Sequence, residues 1–317
     1  MMFPGARRFD LLAFGDPTID LVFAVEHAPA ADEKVLGRRL PPQAGGTAAN
    51  VACAAARLGA GAAAYGRVGA DADGDFLVRE FQRFGVDTNL VRRVPCPCAT
   101  AAVMVDDAGE KALVYAPIPG PVLDGTTLPA ALGQARLVYA MPYDLAEFTT
   151  LSTLARAAGT TVAIDVEAAV APTPAAFQAL APWADIVFFN ERGFRAATGQ
   201  PPGLDTLRAV LGGTGRPGPA LAVVTLGARG ALAATRDQTV EQPAFPTRLV
   251  DATGAGDCFN GACLAALLQG HSLTAALRFA AAAAGLAVTA LGARSAIPGR
   301  QAVATLISRG PGPDPTA

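Results

Sequence analysis

The chain has 317 residues, half of them apolar, which is enough to bury a large core in one big α/β domain or two ordinary ones. Its formal charge of −2, with scattered basic residues, leaves no electrostatic footprint for nucleic acid or an anionic membrane surface. With His27 and His271 as its only histidines and an odd five cysteines in no framework spacing, it offers little for a His-based triad, a His-rich metal site or a disulfide scaffold, and reduced thiols in the cytoplasm are expected.

In chain order, residues 10–15 read as a buried strand, 49–58 as a helix closed by Gly59, and 62–68 as the next strand. Helices are expected at 73–84, 146–158, 174–180 and 191–198, alternating with strands at 137–141, 161–165 and 185–188. A strand at 220–225, a hairpin from 229–235, and apolar helices at 255–268 and 273–290 complete the pattern. Alternation of this kind predicts an α/β fold, a doubly wound and mostly parallel sheet covered on both faces. The stretches 20–40 and 98–116 instead alternate apolar and polar residues around turn signals such as Asp107-Ala108-Gly109, which predicts antiparallel strands in a small projecting sheet. The longest apolar run, 279–293, is Ala/Gly-rich and too short to span a membrane, and the tail 311–317 is expected to be disordered.

Three glycine clusters carry the chemistry. Gly254, Ala255 and Gly256 lie immediately before a helix that begins near Asp257. Unpaired amides and the dipole at a helix start favour an anion, and glycine lets backbone approach a phosphate. A carboxylate at the edge of such an anion hole suits acceptance of a proton from an attacking hydroxyl, although a plain N-cap aspartate has the same pattern. Gly45 and Gly46, followed by Asn50, sit at another strand-to-helix transition, and with Asp20 they could line a polyol pocket. Thr225, Gly227 and Gly230 follow a further strand, as a phosphate cradle or an ordinary turn. No Gly-Lys dipeptide exists, so there is no Walker A motif, and the GxGxxG at 213–218 precedes a strand instead of opening a helix.

The segments AGGTAANVACAAARLGAGAAAYGRVG and DATGAGDCFNGA resemble the two signatures of the ribokinase-like (PfkB) carbohydrate kinases, in the right order. The resemblance covers the whole chain. It implies an α/β domain from 1–19, 44–95 and 121–310 with a β lid from 20–43 and 96–120, Mg-ATP as donor, and a hydroxymethyl group of a sugar or nucleoside as acceptor. It implies Asp257 as base, the amides of Gly254, Ala255 and Gly256 as anion hole, and Thr18, Asp20, Gly45, Gly46 and Asn50 on the acceptor side. Asn190, Thr225, Gly227 and Gly230 match nucleotide-side positions, and Asp251 with the Thr253 carbonyl, facing 292–296, matches a monovalent-cation (K+) site. A homodimer through the exposed lid sheet is also expected.

Departures from the family pattern bear on the substrate and the metal. An Asn-x-x-Glu motif is replaced by Asn190-Glu191-Arg192-Gly193, so that either Glu191 or water takes its place in the magnesium network or magnesium handling is altered. The sequence GDPTID, with Thr18, is similar to nucleoside kinases, whereas Lys34 and the segment GARSAIPG resemble sugar-phosphate and sulfosugar branches. Tyr115 and Tyr143, standing where those branches carry anionic-sugar anchors, favour a neutral acceptor.

Overall fold

Strand β1 (Phe9–Phe14) sets the architecture, because its side chains alternate between two cores. Leu11 and Ala13 join one apolar cluster, and Leu12 and Phe14 join the other. The computed structural model describes residues 2–106, 111–212 and 218–310. After β1 come β2 (Thr18–Val25), β3 (Gly37–Arg39), β4 (Gln43–Gly45), α1 (Thr47–Arg57), β5 (Ala62–Gly69), α2 (Ala72–Arg83) and β6 (Asp87–Val94). The chain continues through β7 (Ala99–Val105), β8 (Lys111–Ala116), α3 (Leu128–Gly133), β9 (Ala135–Ala140), α4 (Leu145–Ala157), β10 (Thr161–Val166) and α5 (Pro174–Leu180). Next are β11 (Ile186–Asn190), α6 (Glu191–Thr198), α7 (Leu204–Arg208), β12 (Leu221–Thr225), β13 (Ala231–Thr235) and β14 (Thr239–Gln242). Helices α8 (Ala255–Leu268), α9 (Leu273–Ala287) and α10 (Arg300–Arg309) close the described chain.

Among the described residues the main sheet has nine strands in the order β14-β13-β12-β11-β10-β9-β1-β5-β6. It is parallel from β12 to β6, and β13 and β14 add an antiparallel edge. Helices α1, α8 and α9 pack on one face and α3 to α7 on the other, which is the doubly wound arrangement that the alternation predicts. The alanine-rich α9 lies against α8 with Ala276, Ala280 and Ala283 fully buried, as small side chains allow close approach of two backbones. No helix of the described residues is long and apolar enough to cross a membrane.

A second sheet, in the order β3-β2-β7-β8 with β4 also on β2, forms the small lid-like layer. It differs from expectation in one pairing: β2 and β7 run parallel, with Thr18 opposite Ala99 and Ala24 opposite Val105. The reason is connectivity, since the chain re-enters the main sheet through β5 and β6 before returning as β7, and a crossover of that length permits a parallel pair. Thr18 pairs with Gly45, so the small sheet already begins two residues before the expected boundary and includes the second glycine cluster. Strand β6 and helices α3 and α10 were not expected. DTNLVRRV is a half-exposed edge strand without a continuous apolar run, which explains the silence of its pattern. Helix α9 ends at Ala287, three positions before the expected 290, where Thr289 turns its hydroxyl back onto the Leu286 carbonyl. The Asp107-Ala108-Gly109 turn, most of the 213–218 glycine run and the tail 311–317 lie outside the described residues.

A buried ion pair joins the two layers. Arg67 on β5 donates from Nη2 to Asp16 Oδ2 at 2.8 Å, and the same guanidinium donates to the carbonyls of Pro119 (2.8 Å) and Ile118 (3.1 Å), where the chain leaves β8.

Candidate active site

The site lies at the carboxyl ends of the parallel strands, the end at which open α/β sheets bind ligands. Helix α8 points its amino end into it. Gly254 caps this helix with φ +74°, and a Cβ there would come within 2.7 Å of the Ala293 Cα. Glycine is required twice over, by the left-handed backbone and by the loop at 292–296 pressed against it. The Cys258 N–H is bonded to the Gly254 carbonyl at 2.8 Å, so the amides ahead of it lead the helix without an intrahelical partner. One of the three expected anion-hole donors is already engaged: the Ala255 N–H donates to the Ala252 carbonyl at 3.2 Å, leaving Gly254 and Gly256 as the better placed amides.

Asp257 occupies the first turn of α8, partly open to solvent. Its Oδ2 accepts from Asn50 Nδ2 at 2.7 Å. Burial drives its carboxyl upward to about 7; Asn50 and Arg294 oppose this, while Glu167 and Asp20 add to it. A carboxylate poised there can take a proton at neutral pH. Asn50 stands on α1, whose amino end is turned by Gly46 at φ +92°. Asn50 Oδ1 accepts from Arg294 Nε at 2.7 Å.

Asp20 and Gly45 are in direct contact, since a Cβ on Gly45 would fall 2.1 Å from Asp20 Oδ2. Thr18 Oγ1 donates to Asp20 Oδ1 at 2.7 Å. Burial raises the Asp20 carboxyl, against the lowering effects of Thr18 and Arg294. Thr18, Asp20, Gly45, Gly46, Asn50 and Asp257 therefore form one connected group, built from β2, β4, α1 and α8.

The second expected group gathers at the ends of β11 and β12. Asn190 and Thr225 are register partners, and Thr225 Oγ1 donates to the Phe189 carbonyl at 3.3 Å. Gly227 and Gly230 both have positive φ; a Cβ on Gly230 would lie 2.0 Å from the Gln242 carbonyl oxygen. Asn190 caps α6, its Oδ1 accepting from the Gly193 N–H at 2.7 Å. Glu191 points elsewhere: its two oxygens accept from Arg195 (3.1 Å) and Arg229 (2.5 Å) in an exposed ion-pair cluster. Gly193 has no room for a side chain, as its Cβ would lie 2.1 Å from the Val166 carbonyl oxygen. Asp251 holds its own loop, accepting from Thr253 N (2.9 Å), Thr253 Oγ1 (2.6 Å) and Gly292 N (2.8 Å), and so brings 251–253 beside 292. Lys34 is exposed between β2 and β3.

Several residues of the site carry no local signal in the sequence. Asp165 at the end of β10 is buried and accepts from Asn260 Nδ2 at 2.9 Å and Tyr139 Oη at 3.4 Å. Burial, then Glu167 and Asp257, push its carboxyl well above the ordinary range, while Asn260 and Tyr139 oppose this. Glu167 follows two positions later, partly exposed; burial raises its carboxyl and a hydrogen bond from Tyr143 opposes this. Asp165 lies at the end of a parallel strand and Glu167 just past it, and that placement is the one signal that could have found them.

Comparison with known proteins identifies the family. Residues 8–300 match the model of the pfkB family carbohydrate kinases. The chain is 30% identical over 299 residues to a ribokinase of Haemophilus influenzae, covering 93% of this chain and 97% of the relative. It is 28% identical to a deoxyribokinase of Salmonella typhimurium, covering 91% and 95%. The solved structure of Arabidopsis thaliana ribokinase complexed with ribose and ATP superposes with a TM-score of 0.80 at 26% identity, over 96% of this chain and 99% of that one.

Proposed function

Because the chain belongs to the pfkB family of carbohydrate kinases, we propose that it transfers the γ-phosphoryl group of ATP to a primary hydroxyl of a small neutral sugar, ribose or a close relative. The observation that carries this reading is the placement of Asp257, a carboxylate held by Asn50 at the mouth of a helix-start anion hole. A bond forms between the acceptor oxygen and the γ-phosphorus, the bond from that phosphorus to the bridging oxygen of ADP breaks, and the hydroxyl proton passes to Asp257.

The amides of Gly254 and Gly256 face the charge that develops on the transferred group. Asp20, Asn50 and the close-packed backbone at Gly45 and Gly46 orient the hydroxyls of the sugar, and Tyr115 and Tyr143 flank it. Asn190, Thr225, Gly227 and Gly230 bind the nucleotide. Magnesium arriving with ATP needs only one or two protein carboxylates beyond the phosphates. Glu167, partly exposed and close enough to Asp257 to raise it, fits that need; Glu191 reaches it only by giving up two ion pairs. When bound, magnesium neutralises charge on the β- and γ-phosphates. The loops joined by Asp251 and Gly292 support a K+ site next to the anion hole. The lid sheet excludes water from the transfer, and its exposed Leu113 and Val114 support a homodimer through this layer. Dependence on ATP fits work in the cytoplasm.

Purified protein incubated with Mg-ATP and parallel panels of sugars and nucleosides tests the reading. ADP release is expected with pentoses and not with nucleosides, and Asp257→Asn should lower turnover on the order of 10²–10⁴-fold. A folded Asp257→Asn protein with undiminished turnover would assign the base to another group.

A further inference from the structure

Arg294 belongs to no helix or strand, yet it is only 6% exposed. Burying a guanidinium costs several kcal/mol of lost hydration, so the contacts that hold it there are informative. Nε donates to Asn50 Oδ1 at 2.7 Å and Nη2 to the Gly45 carbonyl at 2.8 Å. The guanidinium carbon lies 5.5 Å from the Phe81 ring centroid, and Nη1 is buried without a hydrogen-bond partner among the described residues. The donors that are matched are thus spent on the acceptor side of the site.

The consequence falls on Asn50. An asparagine amide can present either its oxygen or its nitrogen to a given neighbour. With Arg294 Nε on one side, Oδ1 must face the guanidinium and Nδ2 must face Asp257. The flipped amide would set its oxygen against the Asp257 carboxylate and its N–H₂ against the Arg294 N–H, losing two hydrogen bonds and creating two repulsions. Asp257 is also faced by Asp20 from β2, by Asp165 and Glu167 at the end of β10, and by Tyr139 from β9. Arg294 supplies positive charge against that set.

We propose that Arg294 is a positioning residue for phosphoryl transfer: by clamping Asn50 against Gly45 it fixes the amide that donates to Asp257 Oδ2, leaving Oδ1 for the acceptor hydroxyl. The inference rests on the reading of Asp257 as the base. It concerns a residue on the opposite side of Asn50 from the chemistry, 244 positions away in sequence.

The test uses the full chain with ¹³C-labelled aspartate carboxyls, the Asp257 signal being assigned by its loss in Asp257→Asn. In Arg294→Gln the Asp257 midpoint is expected to rise by roughly one pH unit, with the acid limb of kcat/KM for ribose and Mg-ATP moving the same way and kcat falling. Arg294→Lys keeps the charge but cannot reach Asn50 and Gly45 together, so the midpoint should return most of the way while kcat stays below wild type. An unmoved midpoint in Arg294→Gln, or a loss confined to KM, overturns the inference. If that variant does not fold, Arg294→Lys decides: wild-type kcat overturns it and reduced kcat with native near-ultraviolet circular dichroism supports it. Because the carboxyl titration needs no turnover, a protein inactive on every sugar would sink the kinase reading without touching the Arg294 to Asp257 coupling.

Discussion

Asn50 Nδ2 and Asp257 Oδ2 meet at 2.7 Å although 207 positions separate them. Their contact joins the two glycine-flanked helix starts, α1 and α8, so that an amide on one and a carboxylate on the other share a hydrogen bond. Each therefore reports on the other.

Cutting that bond should be felt in both directions. Asn50→Ala leaves the Asp257 carboxylate without its donor and Arg294 Nε without its acceptor in a buried setting. A stability loss of about 1–3 kcal/mol is expected in urea denaturation, together with a fall in kcat. Retention of both would mean that the bond is incidental to the site.

The raised carboxyl of Asp257 predicts a pH dependence of stability with a definite sign. The folded chain holds this proton up to about 7, whereas an ordinary aspartate releases it near 3.8. Across that window the native state binds more protons than the unfolded state, so stability falls as pH rises. Asp257→Asn removes this contribution while Asp20, Asp165 and Glu167, also raised, remain. Its decline between pH 5 and pH 8 should be shallower than wild type by on the order of 1–2 kcal/mol, the partial exposure of Asp257 having reduced the full linkage value. Parallel declines in urea midpoints would refute the assignment.

Restoring the acid of the Asn-x-x-Glu pattern should fail. Gly193→Glu places a Cβ against the Val166 carbonyl oxygen, which belongs to a strand end that cannot yield without moving Glu167. Gly193→Ala alone is expected to cost about 1–3 kcal/mol from the same collision, and the glutamate more. A thermal midpoint equal to wild type in Gly193→Ala would show that α6 can shift outward.

The Asp16 and Arg67 pair predicts loosening of the lid. Arg67→Met strands a buried carboxylate and frees the carbonyls of Ile118 and Pro119. The expected cost is about 3–5 kcal/mol, with faster hydrogen exchange at the amides of β7 and β8 than at β9 and β10. Uniform loss across both sheets would point to global destabilisation without a local role in the lid.

The order of elements was legible because each local pattern agreed with its tertiary environment. Helices at 174–180 and 191–198 begin at the side-chain caps Thr173 and Asn190, and the apolar run 255–268 forms the expected helix after Gly254. Pairing within the small sheet was not legible, since alternation gives the faces of β2 and β7 but no direction for their partnership. The half-exposed β6 had too little apolar contrast to be seen.

For the site the division is physical. Glycines at 45, 46 and 254 and the carboxylate at 257 announce themselves in sequence, because a left-handed helix entry or a close approach of backbone needs glycine and the chain supplies it locally. Arg294 announces nothing, and Asp165 and Glu167 only their place at a strand end, because their surroundings come from distant segments: an asparagine on α1 for Arg294, a tyrosine on β9 for Asp165, the charge of Asp257 on α8 for Glu167. Burial and approach between distant segments set their charge states and partners, and only the folded chain contains those distances. The sequence alone thus determined that a carboxylate would follow a glycine turn at a helix start; the tertiary structure decided which amide holds it and which guanidinium holds that amide, since a hydrogen bond spanning 207 positions is a property of packing.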